Sequence, residues 1–340
     1  MKPSSCLPLF LAALACVSHA DVRQVWTVDK TSNTGYVSLD YCPYDADKNP
    51  AFDDGDDLMC WAASASNMIS WWQNQNPEAA AAAGAPTRLE DIWSVYKETF
   101  ADEGADRSCG IDWWFFGRDG WNGTGLPGYK DGATNQGAYY LDYLKDQLDI
   151  WGFRFDDGSF SQSTVKACGS FAGAKSFSFT MMDLLTTGHA VGLNIEALTM
   201  GGDGSYNVVP GSGHALTLWG IEYDDTDNAI TKMWVTDSDD TSSVWGLYEH
   251  DMFEIDLTEL TITETNGSTT NTCTFESELL LPAQYSPRRL YANYSYAITG
   301  YTYLSADNVG YFTFPNVPEP ATSTLSALAL ASICMRRRRK

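Results

Sequence analysis

The sequence predicts an α+β fold, with helices in its first part and an antiparallel sheet in its second. From Cys60, apolar residues recur at Trp61, Ala65, Met68, Ile69 and Trp72, the spacing of one helical face. From residue 190 onward, short β-rich runs alternate with turns of Gly, Asp and Asn. Trp, Tyr and Phe make up 13% of the 340 residues, enough for a sizeable strand-heavy core. The first helix is expected over Cys60–Gln75, with Asp56 or Asp57 as its N-cap. An alanine run ending at Gly84 predicts a second helix, residues 88–100 a third and residues 137–149 a fourth. Strands are expected at 190–195, 215–223, 230–236, 290–296 and 298–303, with no internal repeat.

Both ends read as targeting segments. Residues 1–20 combine Lys2, an apolar stretch and a Ser18-His19-Ala20 exit, the pattern of a secretory signal peptide. At the other end, Val317-Pro318-Glu319-Pro320 leads into an apolar run and then Arg336-Arg337-Arg338-Arg339-Lys340. The run is short of the roughly 20 residues a full span needs, yet the basic cluster suits retention on the cytoplasmic side. Motif, apolar run and basic end together resemble a PEP-CTERM sorting signal. The resemblance implies recognition by an exosortase-type sorting enzyme, transient membrane association through the tail, and secretion or display on a Gram-negative cell surface. The expected organisation is a signal peptide at 1–20, a folded domain at 21–303, a linker at 304–316 and the sorting tail at 317–340.

The chain carries a net charge of −23, and removing the two ends takes away six basic residues but one acidic residue. So acidic a surface argues against nucleic acid or an anionic membrane as a partner of the folded domain.

Of eight cysteines, Cys6, Cys16 and Cys334 fall in the two end segments, leaving Cys42, Cys60, Cys109, Cys168 and Cys273. An odd number in an oxidising compartment leaves at least one thiol over, while the other four could form two bridges. Cys60 is the candidate for the leftover because it opens an amphipathic helix. There the helix dipole favours the thiolate, the form that attacks carbonyls. The neighbouring carboxylates oppose that shift, so a basic partner is required.

His189, His214 and His250 are the candidate partners. His250 lies in a polar stretch and reads as a surface residue. His189 and His214 each stand at the head of an expected strand, but His214 begins an expected hairpin that turns at Asp224–Asn228 and returns to Asp237. In that register His214 and Asp237 oppose each other, close enough for a carboxylate to hold an imidazole N–H. Imidazole takes the thiol proton and later gives one to a leaving amine; the carboxylate fixes the tautomer. A helix carrying a cysteine, then a sheet carrying a histidine, is the order of a papain-like fold.

The segment Asp56-Asp57-Leu58-Met59-Cys60-Trp61-Ala62-Ala63-Ser64-Ala65-Ser66-Asn67-Met68 resembles the nucleophile segment of the IdeS/Mac family of immunoglobulin-degrading cysteine endopeptidases. Gly213-His214-Ala215-Leu216-Thr217-Leu218-Trp219-Gly220 resembles its histidine strand, and Val235-Thr236-Asp237-Ser238-Asp239 its acidic segment. The resemblance implies a papain-like fold, Cys60 as nucleophile, His214 as base and acid, Asp237 as orienter and Asp239 as support. It implies no cofactor, and a protein substrate, with immunoglobulin as one candidate. A lysine in the family matches His189, which leaves His189 a structural role. The family also uses an upstream lysine at the oxyanion hole. Here Lys48 would serve if the acidic loop carries an insertion, with the backbone N–H of Cys60 as the other donor.

Other signals point to simpler roles. The acidic clusters at 53–57, 224–227 and 237–240 read as solvated turns; an EF-hand counted from Asp53 would meet Ser64 where Glu is needed. No zinc spacing and no phosphate loop is present. The run from Trp113 to Trp121 is either a contact surface or the packed core of an insertion. In the first case the same fold could serve as a surface binding or adhesion protein without turnover.

Overall fold

The computed structural model describes residues 22–28, 42–48, 55–117, 125–142, 155–159, 174–200, 206–227, 229–239, 252–266, 268–280 and 295–305. The expected signal peptide, the sorting tail, His250 and Cys168 lie outside them. Helices α1 (Cys60–Gln75), α2 (Pro77–Ala83), α3 (Leu89–Thr99) and α4 (Arg107–Phe116) precede most of the sheet, and α5 (Ala174–Thr186) leads into it. The strands are β1 (Val22–Trp26), β2 (Phe155–Ser159), β3 (His189–Met200), β4 (Tyr206–Val208), β5 (His214–Asp224), β6 (Ala229–Thr236), β7 (Phe253–Asn266), β8 (Thr269–Leu280) and β9 (Ser295–Ser305). The α+β expectation holds, and every strand pairing among the described residues is antiparallel.

Helix α1 departs from the one-faced stripe expected of it. Every residue from Trp61 to Gln73 is buried, because α3 and α4 cover one side while β5 and β3 receive the other. A helix enclosed on all sides loses its polar face. The small residues Ala62, Ala63, Ser64, Ala65 and Ser66 let these neighbours approach. Trp61 meets Tyr96 and Phe100 edge-on at 5.7 and 5.6 Å, and Trp72 meets Phe115 at 5.0 Å. Each large apolar side chain so enclosed contributes about 1.5–3 kcal/mol.

The described part of the aromatic run, as far as Gly117, belongs to this core; residues 118–121 lie outside the described residues. Trp113, Trp114 and Phe115 are fully buried on α4, against Tyr96, Phe100 and Tyr140, so they form no contact surface. Neither α4 nor α5 was expected from periodicity. The helix expected at 137–149 shows irregular backbone to residue 138 and a helical turn only at Leu141 and Asp142, beyond which it lies outside the described residues.

Strand β5 organises the sheet. It pairs with β6 along one edge, and with β3 and then β1 along the other. The path β5-β6-β7-β8-β9-β3 returns to β5, so six strands close into a ring. A second apolar cluster, including Leu193, Leu216, Leu218, Val235, Ile255 and Ile298, packs with Phe177 and Met181 of α5. The expected strands at 290–296 and 298–303 are replaced by the single strand β9, which runs to Ser305, two residues past the expected domain end; residues 290–294 lie outside the described set.

Polar bonds lock α1 onto the sheet. Ser64 Oγ lies 3.0 Å from Thr217 Oγ1, and Asn67 Nδ2 donates to Thr217 Oγ1 and Thr236 Oγ1 at 3.2 and 3.3 Å. Asn67 Oδ1 accepts the Ala46 amide at 2.8 Å, tying the 42–48 segment to the same helix. Arg107 crosses from α4 to the sheet beside Gly192, donating to Leu193 O, Asn194 Oδ1 and Thr302 Oγ1. A Cβ at Gly192 would stand 2.2 Å from Arg107 Nε. Gly192→Ala should therefore displace a bonded, buried guanidinium and destabilise the fold by about 1–3 kcal/mol or more. A denaturant midpoint equal to wild type would show that Arg107 can move aside.

Candidate active site

Cys60 is the first residue of α1, where an amide N–H has no carbonyl within the helix to bond. The expected aspartate N-cap is not formed. The cap position is Met59, with no side-chain bond, and Asp56 O instead accepts the Met59 amide at 3.1 Å in the turn before it. Two further bonds fix this turn: Leu58 N donates to Asp102 Oδ1 at 2.6 Å, and Trp61 Nε1 to Glu103 O at 3.0 Å. The helix thus starts at the cysteine, whose own amide has no partner within the helix. Cys60 is partly exposed and its thiol is free.

The cysteine arithmetic needs correction. Cys42 is also a free thiol, buried in the core, where burial pushes its pKa up to about 12. It joins no bridge, so the expected two bridges among the other four do not form, and parity alone does not single out Cys60. Its position at the helix start does.

His214 heads β5, and its Nε2 lies 2.6 Å from Asp237 Oδ1, just past the end of β6. The hairpin is present, but its register differs from the expected one. Thr217 pairs with Thr236 and Leu218 with Val235, and the ladder stops there. Extended further, it would bring residue 239 rather than 237 opposite His214. Irregularities at Leu218/Gly220 and at Glu222/Tyr223 let the register drift from simple counting. Asp237 reaches the imidazole diagonally, held also by the Asp239 amide donating to its Oδ1 at 2.9 Å.

Asp239 Oδ2 stands 3.8 Å from the other imidazole nitrogen, Nδ1, beyond hydrogen-bond reach. Its Oδ1 is ion-paired with Lys48 Nζ, which also donates to Asp57 O at 2.9 Å. The Lys48 amide donates to Ser238 O at 2.9 Å. Lys48 is therefore part of the constellation. It is buried, is ion-paired with Asp239, and lies near enough to Cys60 for its charge to act on the thiol. The acidic cluster at 237–240 is likewise no solvated turn where described: Asp237 and Asp239 are buried, whereas Asp225 and Asp227 are exposed as expected.

His189 is buried elsewhere. Its Nδ1 meets Thr187 Oγ1 at 2.9 Å and Leu184 O at 3.1 Å, at the end of α5. That is the structural role expected of it.

The electrostatics favour a charged pair. Burial works to raise the Cys60 pKa, but the pairing with His214, together with the charge of Lys48, outweighs it and holds the thiol below its ordinary value of 9.0; Asp239 opposes them. Burial works to lower the His214 pKa, and is outweighed by the charges of Asp237 and Asp239 and by bonds to Asp237 and Cys60. The imidazole ends well above its ordinary 6.5. Both shifts run in the direction that favours a thiolate–imidazolium pair. The alkylation rate of Cys60 should rise at a pH below that of a free thiol. Any activity needing both charged forms should show a bell-shaped profile, ascending below pH 9.0 and descending above pH 6.5. An alkylation profile centred on 9 or higher would show the pair is not formed.

His214, Asp237 and Asp239 bring one ligand atom each within 4.8 Å of one another, spacing that would suit a metal ion. The Lys48 ammonium already occupies Asp239, however, so the cation of this cluster is the protein's own. In front of the cluster a cleft of about 530 Å³ opens, with Cys60 and His214 on its surface.

Residues 316–340 match the PEP-CTERM protein-sorting motif. The chain is accordingly an exported protein of the Gram-negative kind, sorted at its C-terminus through recognition by an exosortase-type enzyme. No curated protein matches the chain closely enough to count as a relative.

Sequence reasoning did not find Asn67, Thr217 and Thr236, which fix the thiol helix to β5 and β6, or Arg107, which ties α4 to β3 and β9. Polar residues inside an otherwise apolar helix and strand were their available signal.

Proposed function

We propose that this protein is an exported cysteine endopeptidase, with a papain-like arrangement of a thiol-bearing helix against an antiparallel sheet. The observation that carries the reading is the 2.6 Å bond from His214 Nε2 to Asp237, which leaves Nδ1 to serve the thiol of Cys60. In this reading the Cys60 thiolate attacks a peptide carbonyl carbon, and the amide at the start of α1 donates to the developing oxyanion. The His214 imidazolium protonates the leaving amine, giving a thioester acyl-enzyme. His214, now neutral, takes a proton from water, which attacks the thioester and releases the acid and the thiolate. Asp237 holds the tautomer, while Asp239 and Lys48 form a buried pair.

The motif resemblance to the IdeS/Mac family supports the same assignments and makes immunoglobulin the first protein substrate to try. Burial of Trp113, Trp114 and Phe115 weighs against a binding role resting on those three rings, while residues 118–121 of the run lie outside the described set. The deciding experiment uses an electrophilic thiol probe mapped by mass. Wild type should label at Cys60, and His214→Ala at least about tenfold more slowly. Equal labelling of the two proteins, with no hydrolysis of any peptide or immunoglobulin, would end the peptidase reading.

A further inference from the structure

The walls of the cleft bear on which substrates it accepts. One part of the wall is the approach to α4, from Gly104 to Arg107, and another is β3 around Glu196 with the backbone leading to His214. Each part carries a carboxylate, Asp106 on the first and Glu196 on the second. Glu196 Oε1 is 3.9 Å from the point where a Cβ would project from Gly213, so this carboxylate lies over the residue preceding the histidine. Gly211 and Gly213 line the same strip and contribute no side chain, leaving bare backbone between Glu196 and His214.

Apart from His214, the cation in the lining is Arg107, and it is committed elsewhere. It is 2% exposed and donates to Leu193 O at 3.2 Å, Asn194 Oδ1 at 3.1 Å and Thr302 Oγ1 at 3.4 Å. Asp106 accepts the Ser108 amide and hydroxyl through Oδ1 at 2.8 and 2.7 Å, which fixes its carboxylate at the head of α4 while leaving it exposed. The cleft therefore presents two carboxylates to its contents, on a chain whose net charge of −23 already concentrates cations around it.

We propose that the cleft selects polypeptides carrying a lysine or arginine next to the scissile bond, with Glu196 as the main recognition group and Asp106 as the second. This rests on the peptidase reading of Cys60 and His214. A basic side chain in the cleft gains from both carboxylates, whereas an acidic one is repelled by both. At a partly solvated site each carboxylate should change relative kcat/KM by roughly fivefold to tenfold.

Two measurements on the full chain test this. The first is independent of peptide turnover: two methanethiosulfonates of similar size, one trimethylammonium and one sulfonate, compete for Cys60. The thiolate attacks the reagent's sulfenyl sulfur, forms a mixed disulfide and expels methanesulfinate. Relative to a small free thiol, the wild type should favour the cationic reagent about tenfold or more. Glu196→Gln should cut that preference at least about threefold, and Glu196→Lys should reverse it. Asp131→Asn, which removes an exposed charge outside this cleft, should leave it unchanged. The second measurement compares kcat/KM for peptides differing only in having lysine, alanine or glutamate beside the cleaved bond. Wild type should rank them in that order, and Glu196→Gln should lose the lysine advantage mainly through KM. Peptides cleaved without regard to charge, or a reagent preference that Glu196→Gln leaves intact, would overturn the specificity while the peptidase reading stands. A normal reagent preference with no peptide cleaved would instead overturn the peptidase reading, and the substrate class with it.

Discussion

Replacing Cys60 with serine should abolish peptide hydrolysis, lowering kcat/KM by about 10⁶-fold, as loss of a nucleophile does in comparable enzymes. A hydroxyl is far less acidic than a thiol, so the pairing with His214 that draws the thiol pKa below its ordinary value would still leave the serine protonated. The fold should not suffer. Cys60 is partly exposed, is in no disulfide, and supplies no cap bond to α1, whose start is held by Met59 and the turn before it. The check is kcat/KM on a cleaved peptide beside a thermal melt. Residual activity above one percent, with the melt unchanged, would remove Cys60 from the nucleophile's role.

The two aspartates should separate in kind as well as in degree. In Asp237→Asn the amide would put an N–H₂ or a neutral oxygen where a carboxylate now meets Nε2. The imidazole would be held in the wrong tautomer or left without its counter-charge, a loss of about 10⁴-fold in kcat/KM by the parallel with serine-protease triads. Stability should change little, because the amide oxygen can still accept the Asp239 N–H. Asp239→Asn acts on a different bond. It leaves the buried Lys48 ammonium without its partner, which costs about 3–5 kcal/mol of stability. Its activity loss below the melting transition should be smaller, on the order of 10–100-fold, by analogy with groups that support a site from behind. Denaturant midpoints and kcat/KM measured on both variants distinguish these outcomes. If Asp239→Asn is the more active-site-damaging while Asp237→Asn only destabilises, the orienter has been misassigned.

The contact between His214 and Asp237 was legible because a turn-rich segment between two β-rich runs marks a hairpin, and a hairpin brings its far ends together. Its register was not legible. Counting inward from the turn assumes a regular ladder, whereas two irregularities shift the pairing and the ladder ends at Thr217 and Thr236. Asp237 still meets the histidine because a side chain spans the diagonal.

Lys48 lies in an irregular segment whose distance from Cys60 in sequence says nothing about distance in space; only the folded Asn67–Ala46 and Lys48–Ser238 bonds bring it in. Helix α4 escaped notice because its apolar residues Trp113, Trp114, Phe115 and Phe116 run consecutively and show no helical spacing. The hairpin of β7 and β8 is a different case. Phe253, Ile255 and Leu257 alternate with polar residues, and the pairing of Asn266 with Thr269 leaves a two-residue connection of Gly267 and Ser268. That signal was in the sequence and was not read. Cys42 shows the limit of counting thiols, since a buried cysteine can remain a small apolar residue in a chain that is exported.

The pairing of Val22 with Asp224 joins residues about 200 positions apart, and the thiol and its histidine are nearly as distant along the chain. A polypeptide is made N-terminus first. Cys60 and its helix therefore exist well before β5, and no base faces the thiol until residues 214 to 239 have been added. During synthesis the site is a cysteine with a helix dipole and nothing more. Long-range closure of this kind is slow as well as late. The constellation of Cys60, His214 and Asp237 is therefore complete only near the end of the folded domain's synthesis.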